Sequence, residues 1–156
     1  EKSRNPGRAE EVLVKCVKLY PECDQALNYL AYTWADRGTN LDLAFDYVTK
    51  ALAIEPANGA YVDTLGWIWF KRKEYGKALE LVEKAEKLMG VDPVVADHVG
   101  DICEAMGNRQ AALEAWTRSF MLDPSNRTVA DKLTRAGADV DKIMSEAERR
   151  PVQESK

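Results

Sequence analysis

Residues 61–93 read Y-V-D-T-L-G-W-I-W-F-K-R-K-E-Y-G-K-A-L-E-L-V-E-K-A-E-K-L-M-G-V-D-P. The apolar spacing predicts two amphipathic helices with a short break near Lys73 and Glu74. Large and small apolar side chains fall at fixed places along them: Leu65, Gly66, Trp69, Tyr75, Ala78, Val82 and Ala85. The same spacing recurs on both sides of this stretch, and a recurring pattern of this length marks a repeat architecture.

Working outward, the stretch falls in a 34-residue unit, 59–92, followed by a second at 93–126. A 35-residue unit precedes it at 24–58, with one extra residue in the turn Thr39-Asn40-Leu41-Asp42. A leucine-like residue and a small one recur as Leu30-Ala31, Leu65-Gly66 and Val99-Gly100. In the second helix of each unit the small places are Ala44, Ala78 and Ala112, then Ala51, Ala85 and Ser119. Trp34, Trp69, Val48, Val82 and Trp116 fill the space beside them. A lone amphipathic helix has no need of small residues at such regular places; stacked helix pairs do. Gly38 and Gly107 stand where the first helix of a pair turns, with Lys73 at that place in the middle unit. Asp92-Pro93 reads as a helix start, and Pro56 and Pro124 as helix stops.

Residues 1–23 match the second half of a unit, with Ala9, Leu13, Cys16, Leu19 and Pro21 at the places of Ala44, Val48, Ala51, Ile54 and Pro56. After 126 the pattern restarts at Val129, Ala130 and Leu133 and then decays. A last helix puts Val140, Ile143, Met144 and Ala147 on one face, so 127–150 reads as capping helices. Pro151 is expected to stop it, leaving 151–156 as a tail. The whole is expected to be one all-α domain, 1–150, of antiparallel helix pairs.

Composition removes several function classes. Among 156 residues, 22 basic and 26 acidic side chains give a net charge of −4, so no basic field draws the chain to nucleic acid. No run is long enough to span a membrane. The chain starts at Glu1 without a basic-then-apolar leader, as in a processed chain or a piece of a longer one. Cys16, Cys23 and Cys103 lack CxxC spacing and are expected to be small buried side chains. No glycine-rich phosphate loop is present, and no nucleophile is placed to use His98 as a base. His98 and Asp101 lie one turn apart, but Cys103 matches the buried Trp34 and Trp69 and should point away from them. No catalysis, metal or cofactor is therefore expected.

The residues L-x-x-x-W/C, then A-x-x-x-V/W-x-x-A/S, then a closing proline at a 34-residue period resemble the tetratricopeptide repeat (TPR). The resemblance covers about 6–135 and implies a right-handed α-solenoid whose first helices line a concave, partner-binding groove. The departures are the extra turn residue, Lys73 for glycine, and Met89-Gly90-Val91 ahead of Pro93. On this register the groove residues are Asn28, Tyr29, Tyr32 and Asp36, then Asp63, Trp67, Phe70 and Lys71, then Asp97, His98, Asp101 and Glu104. Tyr32, Trp67 and Phe70 are the expected aromatic anchors. Asp97, Asp101 and Glu104 share one helical face. Close carboxylates repel unless a cation, a basic partner or water answers them, so these three, together with Asp63, either select a basic or polar partner or keep an exposed wall soluble. Trp69 is assigned to the core.

Some TPR proteins grip a chaperone's C-terminal carboxylate with lysine, asparagine and arginine. The matching places here are Asn28, Tyr32, Thr64, Val94 and His98, which lack the cations, so that function is not expected. The wording N-Y-L-A-Y-T-W-A-D-R-G-T-N-L-D-L-A, N-G-A-Y-V-D-T-L-G-W and D-H-V-G-D is similar to a group of bacterial multi-repeat proteins. Many of those are outer-membrane lipoproteins facing the periplasm, and some are protease adaptors. The likeness implies a protein-binding scaffold or adaptor. The three unpaired cysteines lean towards a reducing compartment, so both a periplasmic chain with a removed anchor and a cytoplasmic one stay open. The alternative role is a structural spacer whose stacking edges make the contacts, with self-association through the uncovered face of 6–19.

Overall fold

Helix starts and stops in this chain are set by short polar signals. The computed structural model describes residues 6–149, less the side chains of Pro6, Arg8, Ala147 and Glu148. Its described helices are α1 (Pro6–Leu19), α2 (Asp24–Arg37), α3 (Leu41–Ile54), α4 (Gly59–Lys71), α5 (Tyr75–Met89), α6 (Pro93–Ala105), α7 (Arg109–Leu122), α8 (Arg127–Arg135) and α9 (Val140–Glu148). No strand occurs among the described residues. The expected stop at Pro151, the tail at 151–156 and the side chain of Ala147 lie outside them.

The Asp92 carboxylate accepts from Val94 N at 2.8 Å and Val95 N at 3.1 Å, with Pro93 in the first turn. Asn58, Asn108 and Asn126 cap α4, α7 and α8 in the same way, each satisfying backbone donors that a helix start leaves unpaired. The turn inside each pair is equally regular. Gly38, Lys73 and Gly107 have φ of 68°, 64° and 81°. Each N–H reaches back to close the preceding helix, Gly38 to Ala35 O, Lys73 to Phe70 O and Gly107 to Glu104 O. A lysine in this conformation costs about 1 kcal/mol that glycine avoids. The same bonds and flanking helices hold it there.

The chain divides into two compact units, Glu1–Gly90 and Val91–Lys156. In the first, α2 pairs with α3 and α4 with α5, and α4 also packs on α2 and α3. Leu27, Leu30, Ala31, Ala44, Val48, Ala51 and Ile68 are fully buried between them, as are Ala78, Val82 and Ala85. The small places exist because the helices approach closely: a Cβ on Gly66 would sit 2.7 Å from Val82 Cγ2. In the second unit α6 pairs with α7, and α8 and α9 pack on α7. Gly100 is required there, since a Cβ would overlap the Trp116 ring. Ala112, Ser119, Phe120, Val129 and Leu133 complete that core. Val140, Ile143 and Met144 of α9 are half-buried, a shallower cover than a core helix provides.

Helix α1 behaves differently from its sequence match, α3. Ala44 is fully buried beneath α2 and α4, whereas Ala9 is exposed, because α1 packs chiefly on α2. Among the described side chains of α1 only Val17 is buried, and Val12 and Leu19 face solvent. Polar contacts supplement this thin packing. Trp34 Nε1 donates to Glu10 Oε1 at 2.6 Å, and Arg37 donates to Glu10 Oε2 at 2.7 Å. These bonds, the Trp34 one first and then Arg37, hold the Glu10 carboxyl below its usual value of 4.5. A depressed carboxyl contributes stability that is present above its unfolded value and lost as pH falls through its folded value. Amides of α1 should therefore lose hydrogen-exchange protection as pH drops below 4.5, and Glu10→Gln should abolish that dependence. Unchanged acid behaviour in the variant would rule out this lock.

Three expectations about side chains are corrected. Trp69, assigned to the core by its match to Trp34, is only half-buried. Its ring lies edge-on to Phe45 at 5.7 Å, with Arg72 at 5.3 Å and Lys77 at 4.5 Å over it. Trp67, assigned to the groove, is 4% exposed. Of the cysteines only Cys103 is buried; Cys16 and Cys23 are half-buried.

Candidate interaction surfaces

In the first unit the candidate face is built from α2 and α4, which lie side by side. Tyr61 at the start of α4 donates to Asp24 at the start of α2, 2.7 Å away, fixing one helix against the other. Burial, and then the Asp24 carboxylate, push the Tyr61 hydroxyl well above its usual pKa, so it stays a donor. At the far end Lys71 reaches the Asp36 carbonyl at 3.0 Å, and its ammonium lies 4.9 Å from the Trp67 ring centre. Trp67 stacks on Phe70 at 4.6 Å and 16°, within the core of this unit. The tryptophan is thus covered by its own neighbours.

The remaining candidates on this face separate by exposure. Tyr29 is 56% exposed and Asp36 is exposed, while Tyr32, Phe70 and Lys71 are half-buried. Asp63 is buried at 6%, beside the buried Thr64. Asn28 is half-buried, and its Oδ1 is buried without accepting a hydrogen bond from the described residues. A buried amide oxygen without a donor costs about 1–3 kcal/mol.

In the second unit the structure brings Asp97 and Asp101 together on α6, as their spacing requires, and supplies the cation between them. Lys132 of α8 lies 2.6 Å from a carboxylate oxygen of each. Trp116 Nε1 donates to the same Asp101 oxygen at 3.0 Å. All three charged side chains are mostly buried, at 14% exposure for Lys132, 18% for Asp97 and 21% for Asp101. Burial raises the Asp97 pKa above its usual 3.8 and outweighs the opposing bond from Lys132. Two of the four acids expected to select a basic or polar partner are therefore answered inside the unit. Glu104 is exposed, and His98 is buried at 4%. Lys132 lies 35 residues after Asp97, one place beyond the 34-residue step, which lands on Asp131.

Beside this network lies a recess of about 260 Å³ lined by Glu104, Gly107, Arg109, Ala112, Trp116, Lys132, Arg135 and Ala136. Arg109 donates to the Ala136 carbonyl at 2.9 Å, closing one wall. Sequence spacing gave no sign of it, because its residues come from three helices and a turn. Among the described residues, no three His, Cys, Asp or Glu side chains gather as a metal-ligand set. No described helix is long and apolar enough to cross a membrane.

Comparison with known proteins places this geometry. Over 101 residues, 65% of the chain, the sequence is 31% identical to a TPR repeat-containing protein of Pseudomonas aeruginosa. That match spans 17% of the relative's length. No protein-family model matches the sequence. Among solved structures, MamA superposes with a TM-score of 0.63 at 20% identity, over 90% of this chain and 86% of that one. The first TPR of Spaghetti (RPAP3), bound to the HSP90 peptide SRMEEVD, gives 0.64 at 19% identity, over 73% and 90%. A chain of the APC/C hetero-tetramer Cut9-Hcn1 gives 0.69 at 21%, over 82% and 26%.

The chain folds as tetratricopeptide repeats.

The α2/α3, α4/α5 and α6/α7 pairs are TPR helix pairs, and the recurring Leu30-Ala31, Leu65-Gly66 and Val99-Gly100 are their contact places.

Proposed function

We propose that this TPR chain is a scaffold or adaptor that binds a segment of a protein partner along the first helices of its pairs. The observation that carries this is on α2: Tyr29 is 56% exposed beside Asn28, whose buried amide oxygen accepts no bond from the described residues. An amide carries a donor and an acceptor side by side, the pairing that a partner's backbone offers. The Asn28 oxygen is covered by the fold, and the exposed tyrosine next to it offers broad contact area at low entropy loss. Tyr32, Phe70 and Lys71 extend the face, and Asp36 favours a partner carrying basic or aromatic groups. The solved RPAP3 repeat with its bound peptide supports the general role.

The test is selection of a binding peptide from a displayed library, then titration against variants. Asn28→Ala and Tyr29→Ala should each weaken the selected peptide about tenfold, on the order of 1.4 kcal/mol, and leave helical circular dichroism unchanged. Undiminished affinity in both would sink the proposal.

A second reading is favoured by α1 and the residue after it, where Val12, Leu19 and Tyr20 are 60%, 73% and 67% exposed. Such a face suits a spacer that stacks on another helix or on a second copy. Sedimentation of the chain against a Val12→Glu/Leu19→Glu variant separates the two, since only stacking makes the assembly state depend on those residues.

A further inference from the structure

We infer that residues 89–92 form a hinge, the one link between helix pairs that the chain leaves open, so that the Val91–Lys156 unit moves independently of the Glu1–Gly90 unit. The inference goes beyond the binding role and does not depend on it.

Comparison within the chain carries it. The repeat register supplies three other links among the described residues, at 20–23, 55–58 and 123–126. Each has a proline at the same place: Pro21, Pro56 and Pro124. Each is also closed by a backbone bond. Cys23 N–H donates to Tyr20 O at 3.1 Å, Asn58 N–H to Glu55 O at 3.1 Å, and Asn126 N–H to Asp123 O at 3.2 Å. Proline fixes φ at about −65°, and the bond fixes the turn that follows, so the two devices together hold a link in one conformation.

At 89–92 both devices are missing. Gly90 stands at the place of the proline, with φ 80° and ψ −153°, a region open essentially to glycine alone. No bond among the described residues joins the Asp92 N–H to Met89 O. The helices on either side are nevertheless complete. Gly90 N–H closes α5 on Glu86 O at 2.9 Å, and the Asp92 carboxylate caps α6. The freedom is therefore confined to the backbone between them.

A third difference lies in α5. The place held by Val17, Leu52 and Phe120 in the other second helices is taken by Glu86. Val17 and Phe120 are buried, and Leu52 packs against the core of its unit. Glu86 is half-buried. A carboxylate resists the burial that an apolar side chain at this place favours, so the end of α5 contributes less packing to fix the link. A hinge needs a few backbone positions that absorb changes in φ and ψ between elements that stay whole, and residues 89–92 meet that need.

The test uses the full chain. Backbone N–H residual dipolar couplings in a weakly aligning medium are fitted separately for α2–α5 and for α6–α8. A hinge predicts alignment tensors of clearly different magnitude for the two sets, and one tensor fitting both overturns it. Amide hydrogen exchange gives an independent reading. Asp92 should exchange at least about tenfold faster than Asn58 and Asn126, whose N–H groups are bonded, and equal protection refutes the open link.

Gly90→Pro restores the device of the other links and should bring the two tensors together. Two tensors persisting in that variant, folded by circular dichroism, overturn the assignment of the hinge to this link. Where the substitution costs the fold, Glu86→Leu takes its place and should narrow the difference between the tensors; an undiminished difference counts against the inference in the same way.

Discussion

Replacing Lys132 with methionine is expected to destabilise the Val91–Lys156 unit by about 3 kcal/mol, near the lower end for breaking a buried ion pair. The lysine is 14% exposed and bridges two carboxylates that are 18% and 21% exposed. Without it, two like charges share a poorly hydrated site on adjacent turns of α6. Methionine keeps most of the volume, so the loss reports charge more than packing. Its dependence on pH identifies the cause. Asp97 already has a folded pKa above its usual 3.8 because it is buried, and Lys132 works against that rise.

Removing the lysine raises the Asp97 value further. A carboxyl with a raised folded value costs stability above it and recovers that stability as pH falls towards the unfolded value. The deficit of Lys132→Met relative to wild type should therefore shrink between neutral pH and pH near 3.8, and Asp97→Asn should remove much of it at neutral pH. Denaturant titrations at both pH values measure this. A deficit equal at the two would show that lost packing, not unpaired charge, is responsible.

Trp67→Ala is expected to destabilise the Glu1–Gly90 unit by about 3–5 kcal/mol, the range for emptying a large aromatic site in a core. Its melting transition should fall by roughly 15 °C or more. The sequence register puts this residue on a groove, where truncation would weaken binding and spare the fold. Burial at 4%, the stack on Phe70 at 4.6 Å and the Lys71 ammonium at 4.9 Å over the ring argue the opposite order of effects. Trp67→Phe should recover part of the loss by keeping the stack. An unchanged denaturation midpoint with lost peptide binding would return Trp67 to the role of surface anchor.

The small-residue places were legible because they obey a local rule repeated every 34 or 35 residues. Two helices can approach only where side chains are short, so Ala44, Ala78 and Ala112 had to be buried, and all are. Helix ends were legible for a similar reason. The capping at Asp92 and the turn at Lys73 depend on bonds within four residues, and Lys73 takes the glycine conformation because its turn makes the same bonds. The candidate surfaces were less legible. The repeat register assigned Trp69 to the core and Trp67 to the groove, but spacing alone does not fix which indole the neighbouring side chains cover. Trp69 instead meets Phe45, Arg72 and Lys77, contacts from the adjoining helix and turn.

What the sequence by itself determined is the TPR pairing and its register, since both follow from residue size and backbone signals at fixed spacing. What only the tertiary structure decided is the charge left over for a partner. Asp97 and Asp101 share a helical face in any reading of the sequence. Their net effect depends on Lys132, 35 residues away, standing 2.6 Å from both. Electrostatic energy falls with distance in space, not along the chain, so the sign of a surface is fixed only once the helices are packed.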